Sequence, residues 1–270
     1  MLAASFKARR RTEAGKPTWL CDAPPGGKGQ RVVSQVVAGS IGFGTTPDGT
    51  FRPGVAVREA IRRCRRPARP RFCYLGTAAQ DPAERAAAVR LAVRELGAEF
   101  SAPALTQPLD LAGVRAHLGE QDVIWADGGS GAFLLAVWHR LGLEDALRDA
   151  WQSGTVMAGV SAGAICWHAG GTPDWTEPRD QAILGGLGLV PFGAGVHYQD
   201  GRRPVLHQLV QSGILPASYA TDDGAAVVYE DDRMVDAVAD RADAHAYFVR
   251  CGTNGGVTET VIPTRRVAGP

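Results

Sequence analysis

The segment from Val156 to Trp167 restricts the fold more than any other stretch of this 270-residue chain. Its first part, Val156 to Val160, is an apolar run of strand length, and good helix formers begin directly after Ser161. The five residues Gly159-Val160-Ser161-Ala162-Gly163 match the G-x-S-x-G pattern of a nucleophile elbow. In that motif a serine lies on a sharp, strained turn between a strand and a helix, so small residues must flank it. The segment therefore predicts a serine at the end of a strand in an α/β protein.

A serine on such a turn is well placed to act as a nucleophile. Its Oγ points out of the sheet, and the N-terminus of the next helix lies behind it. Free N–H groups and the positive end of the helix dipole can stabilise an oxyanion there. The alternative is an ordinary Gly-rich turn, because five-residue patterns recur by chance. The strand before Ser161 and the helix after it are the context that the catalytic motif requires, so we predict that Ser161 is catalytic.

Strands and helices alternate along the chain at a spacing typical of an α/β sandwich with a mostly parallel sheet. The predicted strands cover residues 31–40, 71–78, 99–104 and 122–126, and the predicted helices cover 82–96, 109–118 and 132–152. We expect Asp81 to cap the first of these helices, Gly97 to end it, and Gly142 to mark a break in the last one. Beyond about residue 215, short strands predict an antiparallel addition near the C-terminus: 218–221, 225–229, 234–238, 244–250 and 257–264.

These patterns predict one domain over residues 31–270, a three-layer sandwich in which helices flank a mostly parallel central sheet. The preceding residues 1–30 are rich in Pro, Gly and basic side chains, which is typical of a flexible tail. The chain has 29 basic and 28 acidic residues and a net charge of +1, so no global field favours nucleic acid or membranes as partners. No apolar run approaches the roughly 18 residues of a membrane span.

The five cysteines predict a reducing environment. Their number is odd, and none is part of a CxxC pair, which argues against a zinc site or a disulfide framework. The basic N-terminus lacks the apolar region of a secretory signal. We therefore expect a cytoplasmic protein. Since no group of His, Cys and carboxylate residues has metal-ligand spacing, we expect neither a metal nor an organic cofactor.

A serine nucleophile needs a general base, and the chain has six histidines. They are His117, His139, His168, His197, His207 and His245. Four of them fall in helical patterns or in a late strand, where surface or packing roles are expected. His168 lies one helix length after Ser161, so its ring is badly placed to reach Oγ. His197 ends the strand-like residues 192–196, and open α/β sheets place their sites at such strand ends. His197 is the predicted base, and a structural histidine is the alternative.

The third member of such a site is a carboxylate that orients the imidazole. Asp222 and Asp223 follow the strand-like residues 217–221 directly before Gly224. Ser161, His197 and an aspartate then lie at three successive strand ends, in that order. An α/β-hydrolase has the order Ser, acid, His, so this chain has a different fold. Adjacent, partly buried carboxylates rarely lack a partner, although a turn or helix-cap role is the alternative for each.

Four ordered segments resemble peptidase E, the aspartyl dipeptidase family of serine peptidases. They are the elbow GVSAGA, the Gly turn in WADGGSGAFLL, the strand end GVHY and the late strand ATDDGAAV, and the similarity extends over about residues 32–250. The resemblance implies a class I glutamine amidotransferase-like α/β fold with a Ser-His-acid triad. It also implies a homodimer, because the family is commonly dimeric.

The resemblance further implies roles for individual residues. Ser161 matches the nucleophile, His197 matches the base, and Asp223 matches the acid, which is glutamate in the founding dipeptidases. Gly129 matches the residue whose N–H forms an oxyanion hole together with that of Ala162. The local sequence at Gly129 points to the same role, because a Gly turn after a buried strand lets the backbone approach a ligand closely.

Other proteins related to this family offer alternatives. The amidotransferases have cysteine at the elbow and glutamate two residues after the histidine, whereas this chain has Ser161 and Gln199, which argues against glutaminase chemistry. Cyanophycinase, which is specialised for a polymer of Asp and Arg, stays open. A non-catalytic binding or sensor protein on the same fold is the hypothesis from a different class.

We expect a serine exopeptidase that hydrolyses short peptides through an acyl-enzyme, as a peptidase E-like dipeptidase does. Arginine is the best bidentate partner of a carboxylate, and Arg202 and Arg203 lie where the aspartyl dipeptidases have a substrate-binding arginine. Arg202 matches better, and a solvated helix start is the alternative. Dipeptidases that require N-terminal Asp also have an Asn-Asp-x-Pro loop after the elbow helix, whereas residues 170–178 read GGTPDWTEP. A preference for Asp-X is therefore open, and recognition of the C-terminal carboxylate, as in a carboxypeptidase, is the alternative.

Overall fold

A computed structural model describes residues 32–173, 181–199 and 201–267 of the chain. Its helices are α1 (Val55–Arg63), α2 (Ala83–Arg94), α3 (Leu111–Gly119), α4 (Gly131–Leu141), α5 (Glu144–Gln152), α6 (Ala162–Ile165) and α7 (Arg203–Gln211), and a 3-10 turn covers Thr77–Ala79. Its strands are β1 (Gln35–Gly39), β2 (Phe43–Thr45), β3 (Phe51–Pro53), β4 (Arg71–Leu75), β5 (Glu99–Ser101), β6 (Val123–Ala126), β7 (Val156–Val160), β8 (Gly170–Gly171), β9 (Ile183–Leu184), β10 (Gly193–Gly195), β11 (Ser218–Thr221), β12 (Ala225–Glu230), β13 (Arg233–Ala239), β14 (Ala246–Cys251), β15 (Val257–Ile262) and β16 (Arg265–Arg266). The predicted tail over residues 1–30 lies outside the described residues.

The central sheet has eight strands in the order β16-β13-β12-β1-β7-β6-β4-β5. Five neighbouring strands, from β1 to β5 in that order, pair in parallel. The strands β12 and β13 extend the sheet with antiparallel pairs. Every residue of β6 and β7 is buried, which explains why both read as continuous apolar runs. The ends of these two strands meet at the middle of the sheet.

Helices cover both faces of this sheet. Side chains of α1 and α2 form one core with Trp125 and its neighbours on the sheet, and side chains of α3, α4 and α5 form the core on the opposite face. The predicted three-layer α/β sandwich with a mostly parallel sheet is confirmed. Among the described residues, no helix has both the length and the apolar character needed to span a membrane.

A second sheet has the order β15-β14-β11-β10-β8-β9, and β10 and β11 pair in parallel at its centre. His197 follows β10, and the two aspartates follow β11, so these strand ends belong to a different sheet from that of Ser161. The prediction that Ser161, His197 and the aspartates follow three successive strands is wrong, because β8 and β9 lie between β7 and β10. Each of β8 and β9 has only two residues, which is too short for an alternating pattern to show in a sequence.

The boundaries of the helices bear on three predictions. Gly97 has a φ of 78° just after α2, and Gly142, with a φ of 57°, separates α4 from α5, as predicted. The prediction that Asp81 caps α2 is wrong, because no side chain caps that helix and Pro82 occupies the N-cap position. Asp81 instead accepts a hydrogen bond from the N–H of Thr106 at 2.8 Å. Asp81 thus lies one residue before the N-cap position, and its carboxylate binds the backbone at Thr106 instead of the helix start.

Candidate active site

Ser161 lies on the sharp turn between β7 and α6 with φ 54° and ψ −124°, a conformation that is rare for a residue with a side chain. The two glycines of the motif are a steric requirement of this turn. A Cβ atom on Gly159 would lie 2.2 Å from the carbonyl oxygen of Gly163, and one on Gly163 would lie 2.0 Å from that of Ala126. The turn can therefore close only if both positions are glycine.

The Gly turn after β6 lies against Ser161. A Cβ atom on Gly128 would be 3.7 Å from Ser161 Oγ, and one on Gly129 would be 2.3 Å from the carbonyl oxygen of Ala78. Gly129 has a φ of 142°, so glycine is required there for space and for conformation. Within the described residues, no backbone carbonyl accepts a hydrogen bond from the N–H of Gly129 or Ala162. Two donors are thus left for an oxygen atom bound beside Ser161.

Asp127 holds this Gly turn in place. Its Oδ2 accepts hydrogen bonds from the Tyr74 hydroxyl and from Arg85 Nε, both at 2.9 Å, and its Oδ1 is 3.5 Å from the indole nitrogen of Trp125. Burial and the neighbouring carboxylate raise the pKa of Tyr74, so its hydroxyl stays a donor at neutral pH. The role of Asp127 was not predicted from the sequence. The feature that could have indicated it is an aspartate directly before a Gly-rich turn.

His197 and Asp223 form a close pair in the second sheet. His197 Nδ1 is 2.6 Å from Asp223 Oδ1, and each side chain is 24% exposed. Gln199 Nε2 donates to Asp223 Oδ2 at 3.4 Å. An imidazole that donates from Nδ1 to a carboxylate has its Nε2 available for proton transfer. The pair thus has the arrangement of a base and the acid that orients it.

The neighbouring Asp222 has a different set of contacts. Its Oδ2 accepts hydrogen bonds from the backbone N–H of His245 at 2.9 Å and from the Tyr247 hydroxyl at 3.1 Å. These contacts attach the end of β11 to the start of β14. The adjacent aspartates therefore point to different partners, and Asp223 is the one that reaches His197.

Ser40, directly after β1, connects the two sheets at the site. The N–H of Ser161 donates to the carbonyl oxygen of Gly39 at 3.0 Å. The next residue, Ser40, accepts a hydrogen bond from the N–H of His197 at 2.8 Å and donates to the carbonyl oxygen of Thr221 at 2.7 Å. Ser40 is buried. One hydroxyl thus fixes the backbone at His197 and the strand that leads to Asp223 relative to the strand beside Ser161.

No hydrogen bond joins Ser161 Oγ to His197 within the described residues, and contacts between catalytic groups commonly tighten when substrate binds. The connection between them therefore runs through the backbone and the Ser40 hydroxyl. The sequence analysis missed Ser40, because its only signal is a small polar residue at the end of a buried strand.

The two arginines proposed for substrate binding differ in their contacts. Arg202 is 9% exposed, and its Nη1 donates to the carbonyl oxygen of Pro173 at 2.7 Å. Arg203 Nη1 donates to Glu259 Oε1 at 2.8 Å, and its guanidinium lies over two tyrosine rings. Glu259 thus balances the charge of Arg203. Residues 174–178 of the loop compared with Asn-Asp-x-Pro lie outside the described residues.

His168 is buried against the central sheet. Its Nδ1 is 2.7 Å from the carbonyl oxygen of Ala164, and its Nε2 is 3.0 Å from the Tyr229 hydroxyl. Burial lowers the pKa of His168 to about 4. Because each ring nitrogen has a partner, the ring is not available to Ser161, as expected from the sequence.

Known proteins with similar sequences and folds are peptidases. The family described as peptidase family S51 matches residues 50–236. The chain is 34% identical over 220 residues to the uncharacterized peptidase YgaJ of Bacillus subtilis (strain 168). The aligned region covers 80% of this chain and 92% of that protein. The fold of this chain is similar to that of a peptidase from an acI-B1 Actinobacterium, with a TM-score of 0.64, 19% identity and coverage of 87% and 96% of the two chains. It is also similar to a putative peptidase E protein from Listeria monocytogenes EGD-e, with a TM-score of 0.55, 14% identity and coverage of 77% and 98%.

Ser40→Ala should slow the reaction of Ser161 with a fluorophosphonate. Without the hydroxyl, the N–H of His197 loses its acceptor. With His197 as the predicted base, its displacement should slow the reaction roughly 10- to 100-fold. The measurement is the rate constant of covalent labelling at saturating reagent, and Ser40→Thr, which keeps a hydroxyl, should restore part of the rate. Ser218→Ala is the control, because it removes a buried hydroxyl from the opposite end of β11. An equal loss in both alanine variants would contradict a positioning role.

His168→Gln should flatten the dependence of stability on pH. The unfolded histidine binds a proton below about pH 6.5, whereas the folded one does so only below about pH 4. The contribution of His168 to the free energy of unfolding is therefore fully present above pH 6.5. The free energy of unfolding falls by about 3 kcal/mol as the pH drops from 6.5 to 4. Glutamine does not titrate, so urea unfolding of the variant should lack this part of the slope. The exposed His139→Gln is the control, and an unchanged slope in His168→Gln would contradict the assignment.

Proposed function

The chain belongs to peptidase family S51 and is a serine peptidase, and on that premise we propose that it is an exopeptidase that hydrolyses short peptides through an acyl-enzyme. In this proposal Asp223 orients His197, and His197 activates Ser161. The N–H groups of Gly129 and Ala162 stabilise the oxyanion. The main support is the 2.6 Å contact between His197 Nδ1 and Asp223 Oδ1, at the strand end that Ser40 attaches to the elbow.

Each proton has a defined place in this mechanism. With its Nδ1–H donated to Asp223, the imidazole accepts the proton of Ser161 Oγ at Nε2 as Oγ attacks the scissile carbonyl. The carboxylate of Asp223 stabilises the imidazolium that forms. His197 then gives the proton to the leaving amine, the acyl-enzyme remains on Ser161, and a water molecule activated by His197 releases the product. Gln199 Nε2, at 3.4 Å from Asp223 Oδ2, is a second donor to this carboxylate.

Substrate recognition in this proposal rests on an arginine. We retain Arg202 as the proposed carboxylate-binding arginine of the peptidase E-like arrangement, because Glu259 already neutralises Arg203. Residues 170–178 lack the asparagine of the Asp-specific dipeptidases, which supports a substrate range wider than Asp-X. Carboxypeptidase-type trimming by the same triad is the alternative. The homodimer and the cytoplasmic location stay predictions.

A fluorophosphonate should add one label to the wild-type protein and none to Ser161→Ala, because only an activated serine displaces the fluoride. Intact-mass spectrometry measures the label directly. Ser153→Ala is the control, since Ser153 is exposed and follows α5 away from the elbow. Folded wild type that takes up no label would defeat the catalytic proposal and favour a binding or sensor protein.

Blocked peptides should separate exopeptidase from endopeptidase activity. An exopeptidase recognises a charged terminus, so blocking that terminus removes a charge-assisted contact and reduces kcat/KM by roughly 10- to 100-fold. The measurement compares one short peptide with its N-acetylated and C-amidated forms. Cleavage of the doubly blocked peptide at the rate of the free one would contradict the proposal.

A further inference from the structure

Arg85 on α2 reaches the Gly turn beside Ser161. Its Nε donates to Asp127 Oδ2 at 2.9 Å. Asp127 directly precedes Gly128, whose missing Cβ would lie 3.7 Å from Ser161 Oγ. The guanidinium therefore lies at the same edge of the central sheet as the proposed nucleophile and oxyanion donors.

The guanidinium of Arg85 is held firmly, but only part of it is used. Its central carbon lies 5.5 Å from the ring centre of Phe43 and 4.9 Å from that of Phe51, which are themselves stacked. Its hydrogen bond to Asp127 uses Nε, and the guanidinium also interacts with the Tyr74 hydroxyl. The side chain is 35% exposed. The outer N–H groups that Asp127 does not occupy are thus open to an incoming group.

Asp127 balances the charge of Arg85, as Glu259 balances that of Arg203. The Asp127 carboxylate also accepts hydrogen bonds from Tyr74 and Trp125, and its hydrogen bond to Arg85 uses Nε. A guanidinium fixed at Nε by a carboxylate and over aromatic rings presents its remaining N–H groups as a rigid fork. The ligand that matches such a fork is a carboxylate.

From this geometry we propose that Arg85 binds a carboxylate of the peptide substrate. The inference rests on the proposed exopeptidase function and adds the chemical group that the site recognises. We place that carboxylate close to the scissile bond, because Arg85 contacts the residue that directly precedes the Gly turn beside Ser161. It is the C-terminal carboxylate or an acidic side chain. Both sources present the same group to Arg85.

Arg85 differs from the two arginines after His197 in its place, because its partner Asp127 directly precedes the Gly turn beside Ser161. Arg203 is paired with Glu259, and Arg202 is almost fully buried at the carbonyl of Pro173. The sequence analysis missed Arg85, because an arginine on a helix surface has no motif. Only the fold brings it next to the Gly turn.

The experiment measures kcat/KM for two pairs of substrates that differ only in charge. The first pair is Ala-Ala and its C-terminal amide, and the second is Asp-Ala and Asn-Ala. The proteins are wild type, Arg85→Gln, Arg85→Lys and, as a matched control, Arg90→Gln. Arg90 is an exposed arginine of the same helix with no hydrogen bond or ion pair to the described residues.

In one of the two pairs, wild type should favour the charged member. Arg85→Gln should lower kcat/KM for that member on the order of 10- to 100-fold, mainly through KM, and leave its neutral partner unchanged. Arg85→Lys should recover part of the loss, and Arg90→Gln should behave as wild type. The responding pair identifies the carboxylate as C-terminal or side-chain. Should Arg85→Gln not fold, Arg85→Lys allows the same comparison.

Two results would overturn the inference while the proposed function stands. One is an equal loss for both members of each pair, which would assign Arg85 a structural role through Asp127. The other is an unchanged preference in Arg85→Gln. If wild type hydrolyses none of the four peptides although Ser161 takes up the fluorophosphonate, the exopeptidase proposal fails and this inference fails with it.

Discussion

At the carboxyl ends of β6 and β7, backbone atoms approach one another more closely than any side chain would allow. Gly159 and Gly163 have no space for a Cβ atom, and Gly129 lacks both the space and the usual φ. Gly159 and Gly163 let the elbow close against the end of β6, and Gly129 lets the Gly turn lie against the 3-10 turn at Ala78. These contacts set the direction of Ser161 and of the two N–H groups beside it. The rest of the site is arranged around them.

The histidine and the aspartate come from a different sheet, so their position depends on what joins the sheets. The end of β1 does so, because Gly39 accepts a hydrogen bond from Ser161 and Ser40 bonds to His197 and Thr221. Buried hydroxyls with all their partners satisfied hold such a junction more rigidly than apolar contacts do. On the other side, Asp127 ties the Gly turn to α2 through Arg85. The proposed nucleophile, base and oxyanion donors are thus fixed from separate elements.

Much of this could be predicted from the sequence, because it rests on local patterns. The elbow around Ser161 and the turn at Gly129 are marked by glycines that the backbone needs, and the buried strands by continuous apolar runs. The assignment of strand ends to sheets could not be predicted, because β8 and β9 have two residues each. Ser40 and Arg85 were missed for a related reason. Their contacts join segments that are 157 and 42 residues apart, and no local pattern records such a contact.

In the proposed site, the N–H groups of Gly129 and Ala162 and the ring of His197 surround the reacting atom on Ser161. A crystal structure of the phosphonate adduct tests this arrangement. We expect a bond from phosphorus to Ser161 Oγ, with one phosphonyl oxygen about 2.7–3.1 Å from both backbone nitrogens and His197 Nε2 turned towards Oγ. An adduct whose oxygen is held by other donors, or whose His197 points away while still paired with Asp223, would contradict it.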